Sequence, residues 1–214
     1  MGITFALVAA LLSALAYLPL TERAPTPLRS LVKALPLTFF TLMAWIWQTP
    51  LLLVLALALS ALGDVLLSYP GDRPLVRGMI AFGLGHLCYI GLFAPEFQAA
   101  ALLPVAVLVA LAVSTEAWLA PHAGRLRWPV RIYVLIITVM CIMALGLWPV
   151  RPLVTAGVAL FLLSDLLIGI KLFRTPPRPE RLRALSWALW VFYVAGQLLI
   201  LFAYQPHAGL VLQG

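Results

Sequence analysis

Residues 51–69 read LLLVLALALSALGDVLLSY. A helix needs roughly 20 apolar residues to cross the hydrocarbon core of a bilayer. The run is close to that length and far too long for a strand. It also carries one acid, Asp64. A carboxylate deep in a spanning helix costs about 2.5–3.5 kcal/mol even on the lenient insertion scale. The stretch therefore fixes the fold class as membrane helix and marks the first residue that needs a functional reason. A second run, FLLSDLLIG at 161–169, repeats the arrangement around Asp165.

The rest of the chain has the same character. Of its 214 residues, 64% are hydrophobic and 10% charged, with a mean hydropathy of +1.08. Soluble domains are about half apolar and a quarter charged. Polar, mostly proline-bearing breaks (TERAPTPLRS, QTP, YPGDRP, APEFQ, APHAGRLRWP, WPVRP and RTPPRPERLR) divide the chain into eight apolar segments. We expect an all-α integral membrane protein, one transmembrane domain over residues 1–214. Its helices run near 2–20, 31–48, 51–69, 75–94, 99–119, 129–148, 152–173 and 184–204. The first, MGITFALVAALLSALAYLPL, has no basic leading region and reads as a retained span. Cys88 and Cys141 both fall in apolar runs, which argues against a disulfide framework.

Charge orients the bundle. Thirteen of the 14 Lys and Arg residues fall in or beside the first, third, fifth and seventh connections, and Arg151 stands alone on the other side. The positive-inside rule places those connections in the cytoplasm and both termini outside. A basic pI near 10.0 then reflects orientation, and no nucleic-acid partner is expected. A multi-pass protein of the cell (inner) membrane follows. Trp45, Trp47, Trp118, Trp128, Trp148, Trp187 and Trp190 fall near expected helix ends, as headgroup anchors do.

A faint repeat runs through the chain. GDVLL in helix 3 answers SDLLI in helix 7, and GHLCYI in helix 4 answers GQLLIL in helix 8. Four helices per half suggest a parallel 4+4 repeat about an axis along the membrane normal.

Helix geometry then places the acids. With a rise of about 1.5 Å per residue, Asp64 lies roughly 8 Å and Asp165 roughly 12 Å from the same end of the bundle. That puts both in the cytoplasmic half of the bilayer, where one site can take both. Ser60, Asp64 and Ser68 share a helical face, as do Gly157, Phe161, Asp165 and Gly169. Polar candidates around them are Lys33, His86, Tyr89, Tyr133, Tyr193 and Gln197. Arg131 lies nearer the interface, within snorkelling reach. Two acids at one site divide into a proton donor and a base. Zinc would need more His or Cys than His86 supplies inside the bundle, since His122 and His207 lie in a loop and a tail; no metal or other cofactor is expected.

The stretches KALP (33–36), LGDVLL (62–67), GLGHLCYIGLF (83–93), RIYVLIITVM (131–140), GVALFLLSDLLIGIKLF (157–173) and YVAGQLLI (193–200) together resemble the YhhN family of lysoplasmalogenases. That resemblance implies an eight-helix membrane hydrolase. It would cleave the vinyl-ether bond of a lysophospholipid substrate, giving a fatty aldehyde and glycerophosphocholine or glycerophosphoethanolamine. The family's paired acids fall on Asp64 and Asp165, its lysine on Lys33, its histidine and tyrosine on His86 and Tyr89, and its helix 8 pair on Tyr193 and Gln197. Lys33, with Arg131, is expected at the phosphate; Tyr89, Tyr133, Tyr193 and Gln197 would orient headgroup or water. The same residues leave two other readings open: a small proton-coupled transporter, in which intramembrane acids relay protons, and a metal-dependent lysolipid hydrolase.

Overall fold

A computed structural model describes residues 2–174 and 179–206; Arg178 and His207 lie outside them. Among the described residues are eight α-helices: α1 Gly2–Tyr17, α2 Pro27–Ile46, α3 Leu51–Leu66, α4 Asp72–Phe93, α5 Leu102–Trp118, α6 Arg127–Leu145, α7 Pro152–Phe173 and α8 Pro179–Ala203. Each matches one expected segment. Six are long and apolar enough to cross a membrane, and α1 and α3 are shorter apolar helices.

Helix ends differ from the expected ones where local chemistry decides them. α2 begins at Pro27 because Thr26 caps it: its hydroxyl accepts from the Arg29 amide at 3.1 Å, and Pro27 has no amide to leave unpaired. α3 stops at Leu66, short of Tyr69. The chain turns there through Pro70 and Gly71, whose φ of 109° suits glycine. Asp64 consequently sits in the last turn of α3, and the Ser68 hydroxyl donates to its backbone carbonyl at 2.8 Å.

Contacts group the connections at two ends. At one, Lys171 of α7 reaches Glu22 of the α1–α2 connection at 2.6 Å, and Arg29 donates to the Ser68 carbonyl at 3.3 Å. At the other, Arg151 holds Glu96 at 2.5 Å and the Ala203 carbonyl at 2.7 Å. The helices thus alternate in direction, and the basic residues gather at the first end.

α3 packs chiefly on α4, and α7 on α8. Small residues make both contacts close. A Cβ on Gly85 would lie 3.2 Å from the Ala56 carbonyl, and one on Gly157 would lie 2.7 Å from the Gly196 carbonyl. In lipid, where apolar burial does not drive helices together, such close approach supplies the association. Because the obstacle is backbone, Gly157→Ala is expected to destabilise the protein by about 1–3 kcal/mol. A melting temperature in detergent equal to that of the native chain would contradict this.

α5 is the loosely held helix. It buries Thr115 alone and leans mainly on α6. Arg131 clamps it there, donating through Nε to Glu116 at 2.7 Å and also through Nη2, with its guanidinium over the Trp128 ring. Trp45, Trp128, Trp148 and Trp187 are exposed, as anchors should be, whereas Trp190 is buried against Tyr17 and donates to the Ala14 carbonyl at 2.9 Å. Trp190 lies three turns inside α8, so it serves the bundle interior rather than the headgroup level.

Candidate functional site

Both acids line one cavity of about 150 Å³, walled by α4, α5, α6, α7 and α8. Its lining is mostly apolar. The polar groups that reach it are Lys33, Asp64, Tyr133, Asp165 and Tyr193, with Thr115, Thr138 and Ser164 on the walls.

Each acid has its own set of partners, and no hydrogen bond links the two carboxylates. Asp64, 2% exposed, lies 3.3 Å from the Lys33 ammonium and accepts from the Tyr193 hydroxyl at 2.8 Å. Lys33 reaches it from α2, one residue past Val32, whose carbonyl receives no amide from Pro36. Asp165, 17% exposed, accepts from the Tyr133 hydroxyl at 2.6 Å and lies 3.7 Å from His86 Nε2. His86 Nε2 is also 3.1 Å from the Tyr133 oxygen.

The imidazole of His86 is fully buried, and its Nδ1 has no partner. A buried N–H without an acceptor is more costly than an unused lone pair beside apolar groups. With its proton on Nε2 the ring donates to the Tyr133 oxygen. Tyr133 in turn donates to Asp165, so the three form a directed chain: His86 to Tyr133 to Asp165.

An aromatic cluster separates the two acids' settings. Phe82 meets Phe161 at 6.4 Å and Tyr193 at 5.9 Å, both edge-on, and His86 meets Phe161 at 4.9 Å. Phe82 rests on Gly63, where a Cβ would come within 2.6 Å of its ring. The glycine preceding Asp64 thus lets an aromatic face stand beside the acid.

Other residues expected at the site stand behind it or away from it. Tyr89 and Gln197 are both 0% exposed. Tyr89 donates to Gln197 Oε1 at 2.5 Å, and Gln197 Nε2 donates to Ser60 Oγ at 3.1 Å. They tie α4, α8 and α3 together beneath the cavity and do not line it. His86 is likewise a backing residue. Arg131 does not line this cavity; its guanidinium pairs with Glu116 of α5. Among the described residues, no three His, Cys, Asp or Glu side chains converge as metal ligands do.

The cavity adjoins a second, polar hollow of about 460 Å³ at the basic end. Lys33, Leu67, Leu75, Leu172, Leu189 and Trp190 border both. Sequence reasoning missed two of its residues, Glu22 and Ser186, which together hold the Lys171 ammonium. The available signal was a lone acid in the otherwise basic TERAPTPLR. Burial raises the Glu22 carboxyl, but hydrogen bonds from Lys171 and Ser186 and the Lys171 charge outweigh it, leaving it below the ordinary carboxylate range. A depressed carboxyl stabilises the fold above its unfolded pKa and loses that contribution as pH falls through its folded value. The effect is small, because the side chain is 34% exposed and screened.

Known proteins resemble this chain over most of its length. The YhhN family profile matches residues 28–204. Proteins named Lysoplasmalogenase in Mycobacterium bovis and Mycobacterium tuberculosis are each 38% identical over 158 residues, 69% of this chain. The chain spans 58% of the length of those relatives. The "Uncharacterized membrane protein YhhN" of Escherichia coli O6:H1 is 32% identical over 200 residues, covering 90% of this chain and 95% of that protein. No solved structure matches. With the profile running from the start of α2 to the end of α8, over every helix that contributes a side chain to the cavity, this multi-pass membrane protein belongs to the YhhN family.

Proposed function

We propose that the chain is an intramembrane lysoplasmalogenase in which Asp165 is the proton donor and Asp64 the base. The observation that carries this reading is the asymmetry of the two acids. Asp64 faces an ammonium and a phenol donor, the surroundings of an ionised carboxylate. Asp165 faces a phenol and the His86 ring, and no lysine or arginine. Its Oδ2 is taken by Tyr133, which leaves Oδ1 to carry a proton into the cavity.

The reaction follows from those roles. Asp165 gives its proton to the β-carbon of the vinyl ether, and the C=C electrons become the new C–H bond. The cation that develops is an oxocarbenium ion, stabilised by the Asp64 carboxylate and by the faces of Phe82 and Tyr193. Asp64 takes a proton from water as the water oxygen bonds the α-carbon. Asp165, now ionised, takes the hemiacetal O–H proton as the C=O forms and the C–O bond to glycerol breaks, and the glycerol oxygen takes the proton held by Asp64, which returns both acids to their starting states. One water is consumed, and one aldehyde and one alcohol are released, with no change of oxidation state. The substrate's alkenyl chain lies in the apolar cavity beside the loosely held α5, which gives it a lateral way in from the lipid. The mycobacterial relatives' name supports the same chemistry.

The basic end is the cytoplasmic one in this reading, with both termini outside and the site in the inner half of the cell membrane. The two halves form a 4+4 repeat. What supports it is that Ala56 and Gly157, each eight residues before an acid, receive Gly85 and Gly196, each preceding a buried polar residue that bonds a neighbouring helix, His86 or Gln197.

The deciding experiment incubates the purified protein with a lysolipid panel and identifies products by mass spectrometry. Aldehyde release from alkenyl but not alkyl or acyl lysolipids is expected. Release of free fatty acid instead, abolished by a chelator, would replace this reading with a metal-dependent hydrolase. The His86–Tyr133–Asp165 chain also favours a proton-relay transporter as the second reading; solute flux into liposomes without turnover would establish that one. Tyr133→Phe is expected to lower kcat by about 10²-fold, because it strips Asp165 of its donor and leaves the His86 N–H unpaired. Unchanged kcat would remove Tyr133 from the mechanism.

A further inference from the structure

The polar hollow at the basic end takes no part in the bond cleavage above. We propose that it is a phosphate-ester subsite in which Arg29 and Lys171 bind the headgroup phosphate of a lysolipid whose chain lies in the adjoining cavity. This rests on the lysolipid reading and adds a binding locus to it.

Arg29 is the firmest evidence. Its guanidinium is locked by carbonyls, donating to Leu20 and Thr21 at 2.8 Å each and to Ser68 at 3.3 Å. It also lies over the Tyr17 ring at 5.6 Å. These groups fix its plane and leave its charge without a carboxylate partner. Three of its five N–H groups are so engaged, which leaves two for a phosphate, and a guanidinium so fixed loses little freedom on binding one. Lys171 adds a second charge. Glu22 and Ser186 take two of its three donors, so one remains for a ligand.

The balance of the wall favours an anion. Arg23, Arg29, Lys33 and Lys171 border the hollow against Glu22 and Asp72. Lys33 is committed to Asp64, and the remaining cations still outnumber the acids. The volume, about 460 Å³, falls within the range of small-ligand sites. Glu22 competes with the ligand for Lys171, which gives the proposal a directional signature: removing the competitor strengthens binding, while removing the cation weakens it. If the Glu22–Lys171 pair were a structural clasp only, both changes would act alike.

The test measures binding without turnover, on the purified full chain in detergent. Three ligands are titrated against tryptophan fluorescence: a non-hydrolysable 1-O-alkyl lysophospholipid, the phosphate-free 1-O-alkylglycerol of equal chain length, and glycerophosphoethanolamine. The lysophospholipid is expected to bind about tenfold more tightly than the alkylglycerol. Lys171→Gln and Arg29→Gln should each erase most of that advantage, Glu22→Gln should enlarge it, and Arg183→Gln should leave it unchanged. Equal binding of the two lipids by the unaltered chain overturns the proposal, and this comparison stands even if a variant fails to fold. An advantage that survives both Lys171→Gln and Arg29→Gln overturns it as well. Binding of glycerophosphoethanolamine with no advantage for the phospholipid would point to a free phosphate ester and overturn the headgroup assignment. A phosphate advantage in a protein that hydrolyses no lysolipid would sink the proposed reaction and leave the subsite in place.

Discussion

Asp165→Asn is expected to lower lysoplasmalogen hydrolysis by about 10³-fold while the protein folds normally. The amide oxygen can still accept from Tyr133, so the contact between α6 and α7 survives. What is lost is the carboxyl proton on the oxygen that faces the cavity. A general acid of this kind contributes about 10²–10⁴-fold, and vinyl-ether cleavage has no other way to begin than carbon protonation. Turnover is read as aldehyde release, and folding as the melting temperature in the same detergent. Near-normal turnover with a native melt would eliminate Asp165 as the acid. Asp165→Glu, which keeps the acid but moves it along the chain axis, should fall between the native protein and Asp165→Asn.

The second large effect concerns stability. Lys33→Met leaves the 2%-exposed Asp64 carboxylate without its ammonium. Removing one partner of a buried pair is expected to destabilise by about 3–5 kcal/mol. Asp64→Asn alone strands the lysine instead, and should destabilise too. The double variant Lys33→Met/Asp64→Asn removes both charges. It is expected to recover most of the lost stability and none of the activity. That combination separates the pair's structural contribution from its chemical one. If Lys33→Met melts like the native chain, the contact at 3.3 Å is not an ion pair that matters to the fold. If the double variant regains turnover, Asp64 is not the base.

Much of this was legible along the chain. The eight segments, the two acids and the gathering of basic residues follow from length, period and composition, each of which acts within one helix. LLLVLALALSALGDVLLSY reads as a helix, which satisfies its backbone within the segment, and it forms one over Leu51–Leu66. Asp64 and Asp165 had to have a use, because an unpaired carboxylate there is too costly. The rise per residue placed them at similar depth without reference to any neighbour.

The partners were decided only by the assembled bundle. Helix period tells which residues share a face, but in lipid one apolar face has little preference for another, and close-packed small residues and buried hydrogen bonds select the neighbours. Gly157 against Gly196 and Gly85 against Ala56 set how the helices lie. From that follow Tyr193 reaching Asp64 and Tyr133 reaching Asp165. The same rotation turns Arg131 outward to Glu116 and sends Trp190 into the core. The asymmetry of the two acids, one beside an ammonium and one beside a phenol and an imidazole, is therefore a property of the tertiary structure. The two sequence stretches around them are too alike to have revealed it.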